Sequence, residues 1–444
     1  MNPNHTTSLV AGTSGDVSRT IHLTPIAADV RRRIPPSAMS SASSRRRLPL
    51  LDRHTSPSRV AGWCLATIAA ALLLLPAVAK AAAFTSGSTG AYGAMNITAD
   101  TTLNLPTNGI FHCTTINIDP GVTLRFNRNP LNTPVYLLAT GDVTIKGIID
   151  VSGGGPSGGA PGLGGPGGFD GGFGGFGISP NNIGGDGKGP GGGKRVANTD
   201  FLGYLVSGAF GGSAAYNTNS YGNALLVPLI GGSGASGSDG NPGLGGGGGG
   251  GAILVASTTK IELTGAIRAT GGNYGGSGGA IRLLSPLVTG NGTADTGGAG
   301  FPSLGYPYYN WVASAGRVRI DCLDRYAFRS LAMPGYATRG TQMIVFPPVI
   351  PRLDITQAAG TTIPLNTNGP VTINLVAGAN PTNTVTIRAQ DFTNSVPIRV
   401  VLTPENGASI SYDITLNMTS NPAQTNVTVV FPIGVPTRVD AWTR

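Results

Sequence analysis

Apolar and polar residues alternate in short phrases along the middle and end of this chain, and sharp corners separate the phrases. In "TTINIDPGVTLRF", Ile116, Ile118, Val122, Leu124 and Phe126 alternate around a Pro120-Gly121 corner. That period of two predicts half-buried strands. Three further phrases, "GDVTIKGIIDVSGGG", "GAILVASTTKIELTGAIRATGG" and "GAIRLLSPLVTGNGTADTGG", combine branched side chains with glycine clusters. Branched residues suit a pleated surface, whereas glycine allows tight corners and close backbone approach. Each phrase therefore predicts one turn of a stacked β-solenoid.

Repeat spacing supports stacking. Gly251-Ala252-Ile253 aligns with Gly279-Ala280-Ile281 at 28 residues, Gly265 with Gly290 at 25, and a third start, "GRVRI" at Gly316, follows 37 residues later. Such irregular spacing fits solenoid turns with insertions. Two insertions stand out. From Pro156 to Gly251 the chain is of low complexity, and glycine recurs every third residue in "GAPGLGGPGGFDGGFGGFG". That register predicts either a packed bundle of polyproline-II or polyglycine-like segments or a mobile loop, with Phe169, Phe173 and Phe176 favouring packing. The second, "FPSLGYPYYNW", reads as a loop, and its Tyr306, Tyr308, Tyr309 and Trp311 are candidates for stacking on sugar rings.

After "VFPPVIP" glycine becomes sparse and clean alternation returns. Val371, Ile373 and Leu375 form one row; Ile398, Val400 and Leu402 another; Ile410, Tyr412, Ile414 and Leu416 a third; Val427 and Val429 add to a fourth. These strands, parted by turns such as Pro404-Glu405-Asn406-Gly407, predict an immunoglobulin-like β-sandwich. The expected organisation is a leader over residues 1–83, a glycine-rich solenoid over 84–346, a proline-rich linker over 347–351 and the sandwich over 352–444.

The leader begins with about sixty residues rich in Arg, Ser, Thr and Pro, expected to be disordered because they cannot bury enough surface. An apolar run from Val60 to Ala79 and a small-residue exit follow, the order of a secretory signal peptide, with cleavage expected at Ala81 or Ala83. Ser44-Arg45-Arg46-Arg47-Leu48 resembles a twin-arginine export signal, although the general secretory route is preferred. Met39 is an alternative start. An uncleaved anchor is the competing reading, since 20 apolar residues could span a bilayer.

Charge changes once the leader is set aside. Its nine Arg and Lys80 stand against three Asp, which leaves 19 basic and 17 acidic residues after it, so the chain's +9 belongs largely to the leader. No dense basic patch remains for nucleic acid. "GGGKR" at Lys194 and Arg195 reads as a solvated loop. Of three cysteines, Cys64 lies in the leader, and Cys113 and Cys322 either form one bridge in an oxidising compartment or stay as two buried thiols.

Catalytic chemistry is constrained by inventory. Beyond the leader there is one His, His112, and two Glu, Glu262 and Glu405. A Ser-His-Asp triad or a His-rich metal site is therefore nearly excluded. Two G-x-S-x-G matches, at Ser157 and Ser277, lie in glycine tracts without the strand-turn-helix setting of a nucleophile elbow. Asp150 aligns with Arg268 and Ala294, so no acidic column is expected, and Asp321, Asp324 and Arg325 read as a solvated capping turn. Asp239 in "GASGSDG" and Asp186 in "GGDGKG" miss the spacing of a calcium repeat, and no phosphate loop can be read.

The segments "INIDPGVTLRF", "GDVTIKGIIDVSGGG" and "GGGGGGGAILVAS" resemble uncharacterised glycine-rich secreted bacterial proteins with a pectin-lyase-like right-handed β-helix, over Phe84 to Leu323. That resemblance implies a right-handed parallel β-helix and extracellular or cell-surface placement, with no assigned reaction. Three functions are carried forward. The first is a non-catalytic structural or adhesive protein, with polysaccharide or cell-surface components as partners and no cofactor or metal. The second is a polysaccharide lyase or hydrolase of the pectin-lyase-like class, and the third a membrane-tethered structural protein.

Overall fold

The computed structural model describes residues 19–25, 84–177, 182–196, 205–211, 217, 219–300, 313–324, 326–349, 351–365, 367 and 371–443. Among the described residues the fold is all-β, without helix. Its larger part is a curled parallel sheet in which successive turns of chain lie in register.

Three columns of strands make up the curl. The first stacks the start of Ile110–Ile118 on Val135–Ala139, Ala252–Ser257, Ala280–Leu284, Arg317–Asp321 and Tyr336–Gly340. The second stacks Gly93–Ile97 on the end of Ile110–Ile118, then Val143–Ile145, Lys260–Leu263 and Leu287–Thr289. In the third, Thr101–Asn104, Thr123–Asn127, Ile148–Asp150, Ala266–Arg268 and Thr293–Asp295 follow one another. Equivalent side chains pile up inside: Val135, Ile253, Ile281 and Val318 in one stack, Leu124, Ile149, Ile267 and Ala294 in another. Within the first column, Val135–Ala139, Ala252–Ser257 and Ala280–Leu284 are buried on both faces, which explains why "VYLLA" and "AILVAS" read as continuous apolar runs.

Register corrects one alignment. Ala252 pairs with Ala280 and Ala280 with Arg317, as the spacings of 28 and 37 predict. Ala266, however, pairs with Thr293, so Gly265 lies opposite Gly292 rather than Gly290. Gly290, with a positive φ of 118°, directly follows Thr289, the partner of Glu262, so it stands in the place of Leu263; the corner holds two glycines and the second, Gly292, is the equivalent of Gly265. Asp150 consequently stacks on Arg268 and then on Asp295, not Ala294, and Arg125 precedes it. The column alternates in sign, with Arg125 and Asp150 3.6 Å apart.

Cys113 and Cys322 are both buried and are not bridged. Cys113 pairs with Ala139, and the register continues through Ser257 and Ser285 to Cys322. Four strand spacings of about 4.8 Å separate them by roughly 19 Å, far beyond disulfide reach. Burial pushes the Cys113 thiol up to about 11, and the Cys322 thiol donates to the Asp324 carbonyl at 2.9 Å. Neither thiol is expected to react rapidly with a thiol reagent at pH 8 until the protein is unfolded, and prompt labelling of the folded chain would contradict the packing. Since the Cys113 proton is held more tightly in the folded state, this contribution to stability is full below pH 9 and declines as pH rises toward 11.

Two more sheets share a separate apolar core. One orders Thr372–Leu375, Arg19–Pro25, Thr437–Thr443, Val396–Pro404 and Ile410–Leu416; the other orders Thr361–Thr362, Arg352–Ala358, Thr382–Gln390 and Ala423–Val430. Ile398, Val400 and Leu402 are fully buried, as their alternation predicts. In Ile410–Leu416 only Leu416 is buried, because this edge strand pairs on one side alone. Within the leader, Arg19–Pro25 has backbone partners on both sides, antiparallel to Thr372–Leu375 and parallel to Thr437–Thr443.

Candidate functional site

The glycine-rich insertion is a packed bundle, and its hydrogen bonds show why three-residue periodicity matters. Along Gly243–Gly251, residues Gly243, Gly246 and Gly249 donate to Gly175, Gly172 and Phe169; Gly245, Gly248 and Gly251 donate to Gly158, Gly154 and Val151; Gly247 and Gly250 donate to Tyr274 and Ser277. An extended helix with three residues per turn aims successive N–H groups at three different neighbours. Glycine is required because the neighbours are backbone. A Cβ on Gly246 would lie 2.1 Å from the Ala235 carbonyl oxygen, and one on Gly248 would lie 2.3 Å from that of Leu163.

This bundle meets the second core through the turn Pro404-Glu405-Asn406-Gly407. The Gly407 N–H donates to the Gly184 carbonyl at 3.1 Å, and the Ser409 N–H to the buried Asp186 carboxylate at 2.8 Å. Asp186 also accepts from Lys194 Nζ at 3.1 Å and from the Arg195 backbone N–H. Asp239 accepts two bonds of 2.7 Å from the Arg195 guanidinium and one of 2.8 Å from the Gly184 N–H. Arg195 is therefore part of the joint and not of a solvated loop, since only a forked cation can hold Asp239 in this way.

Beside the joint lies a cavity of about 460 Å³, walled by Gly159, Phe173, Gly174, Phe176, Pro242 and Glu405 among others. Phe176 is 77 % exposed, so it is not the packing residue that its neighbours suggest; Phe169, 6 % exposed, is. Lys188 Nζ stands 5.8 Å from the centre of the Phe173 ring. Burial raises the Glu405 carboxyl above the ordinary range, and Lys188 opposes that rise. Burial and Arg438 lower the Lys188 ammonium against the pull of Asp170, Asp440 and Glu405. For Asp170, burial acts upward, but Arg128 and Lys188 hold it below its usual value, with Arg128 Nη1 at 2.6 Å. The cavity is thus mostly apolar and glycine-walled, with one aromatic ring open to solvent and one carboxyl of raised proton affinity.

The other candidates are dispersed. Tyr306, Tyr308, Tyr309, Trp311 and Arg325 lie outside the described residues, as do Ala81 and Ala83. Ser277 is buried, with its hydroxyl bonded to the backbone of Ser233, and Ser157 sits in an exposed turn. His112 Nδ1 accepts from the Thr89 N–H at 3.3 Å, and Glu262 pairs with Lys260. Asp321 is not a solvated cap: it is wholly buried on Arg317–Asp321, where Arg319 and Arg282 enclose it. Asp324 caps the exposed Tyr326 and Ala327 amides. No three His, Cys, Asp or Glu residues converge on a metal-sized site among the described residues. Sequence reasoning noted Glu405 only as one of two glutamates and its turn only as a turn; no local signal places it against a segment more than two hundred residues away. The chain matches no protein family, no curated protein and no solved structure with which it was compared.

Proposed function

We propose that this chain is a secreted or cell-surface structural and adhesive protein that holds a saccharide in the cleft between its glycine bundle and its C-terminal sandwich. On this reading the curled sheet is a right-handed parallel β-helix of the pectin-lyase-like kind, and the C-terminal sheets form an immunoglobulin-like domain. One observation supports the binding reading above the others: the exposed Phe176 ring shares a cavity with Glu405. Sugars present an apolar C–H face and a rim of hydroxyl donors, which an aromatic ring and a carboxyl match in turn. The glycine bundle holds the wall rigid before the ligand arrives, which reduces the ordering cost of binding. Tyr306, Tyr308, Tyr309 and Trp311, outside the described residues, are carried as further candidates for stacking on sugar rings.

Retention of the purified protein on a panel of insoluble polysaccharides tests the proposal. Phe176→Ala is expected to lower retention at least about tenfold while leaving the unfolding midpoint in place, because the ring has little packing to lose. Unchanged retention of this variant would remove the cleft from consideration. Depolymerisation of pectin or alginate by the wild-type protein would replace the adhesive reading with an enzymatic one.

A further inference from the structure

The strand Arg19–Pro25 occupies a central position in a sheet whose other strands all come from residues 372–443. Arg19 to His22 pair antiparallel with Leu375 to Thr372, and Ile21 to Pro25 pair parallel with Thr437 to Ala441. Pro25 ends the strand, where no further N–H is needed. Without this strand, Thr372–Leu375 and Thr437–Thr443 would face each other across two strand spacings, about 9.6 Å, too far to bond directly. The floor of that gap is apolar: Ile373, Leu375, Val439 and Ala441 are buried in the core beneath it. Two unpaired edges above an apolar floor take up extended peptide.

We infer that this position is a strand-acceptor slot, filled by the chain's own Arg19–Pro25 segment until the leader is cut away and thereafter open to the same segment from a second, unprocessed copy. Because Thr372–Leu375 and Thr437–Thr443 run antiparallel to each other, a strand entering in either direction meets one parallel and one antiparallel edge; Arg19–Pro25 enters parallel to Thr437–Thr443. The sequence Thr20-Ile21-His22-Leu23-Thr24 carries the alternation that a sheet over an apolar floor selects. The exchange rests on the reading that the leader is removed; the slot itself does not.

The test uses the full chain with a specific protease site placed between residues 26 and 83. Dye-labelled peptide of the sequence RTIHLTP is added to uncut protein and to cut, leader-free protein, and binding is read by fluorescence polarisation. Saturable binding to the cut protein alone is expected, at least tenfold weaker for a peptide carrying His22→Pro, which removes one ladder N–H. Deuterium uptake at residues 437–441 should rise when the leader leaves and fall again with peptide. Equal binding of both peptides would overturn the slot, as would absent binding with residues 437–441 still protected, because the sheet would then have closed on itself. A cut leader that co-elutes supports the slot only if His22→Pro in the chain abolishes co-elution; co-elution that survives it counts against the slot. Separately, N-terminal sequencing of exported protein reads the leader: a start near Ala82 to Phe84 supports removal, and a retained leader overturns exchange while leaving the peptide result to stand for the slot.

Discussion

Replacing Gly249 with alanine is expected to cost about 3 kcal/mol or more, enough to lower soluble yield as well as the denaturant midpoint. The added methyl would lie 2.1 Å from the Gly232 carbonyl oxygen and 2.2 Å from its carbon. Both are backbone atoms, so no side-chain rotation relieves the contact. Separating the segments would also stretch the Gly249 N–H bond to the Phe169 carbonyl and the Gly165 N–H bond to the Gly249 carbonyl, now 2.8 and 3.0 Å. Because Gly243–Gly251 serves three neighbours in rotation, one displaced segment disturbs the others. Gly300 provides the control: nothing lies within 4 Å of its hypothetical Cβ, and alanine there should leave the midpoint nearly unchanged. Equal midpoints for the two variants would contradict the packed bundle and restore the mobile-loop alternative.

Asp321→Ala should destabilise the curled sheet by a comparable amount, about 3–5 kcal/mol. The Asp321 carboxylate accepts from Arg319 Nη2 at 2.6 Å, Arg282 Nη2 at 3.3 Å and the Gln342 N–H at 3.0 Å. Arg282 is only 1 % exposed, and its Nε has no partner. Removing the carboxylate leaves two guanidinium groups close together in a dry environment, and neither can shed its proton. Equilibrium denaturation gives the size of the loss. The combined change of Arg282→Met, Arg319→Met and Asp321→Leu should recover most of it, since the penalty comes from uncompensated charge and not from lost volume. A loss below about 1 kcal/mol for Asp321→Ala would show that water reaches the group.

These two expectations illustrate what could be read along the chain. Alternation at Ile116, Ile118, Leu124, Ile398 and Leu402 identified strands that the structure contains, because a residue's side in a strand depends only on parity. The 28-residue step from Ala252 to Ala280 was legible for the same reason, as was the turn at Glu405. The 25-residue step from Gly265 was not: the next corner holds two glycines, Gly290 and Gly292, and only the pairing of Ala266 with Thr293 shows which one is equivalent. Glycine every third residue narrowed the insertion to two forms, but hydrogen bonds between Gly246 and Gly172, 74 positions apart, decided for the packed one.

Charged residues marked the limit. Asp321 and Arg195 look solvent-facing in the sequence and Asp186 merely out of register for a calcium repeat, yet each is held by partners brought from other segments. Parity, branching at Cβ and the absence of a Cβ act within a few residues of themselves, so composition and order alone determined an all-β chain of short strands with glycine at its bends. Burial of charge, the separation of Cys113 from Cys322 and the meeting of Phe176 with Glu405 depend on which distant segments lie side by side, and that the tertiary structure alone decided.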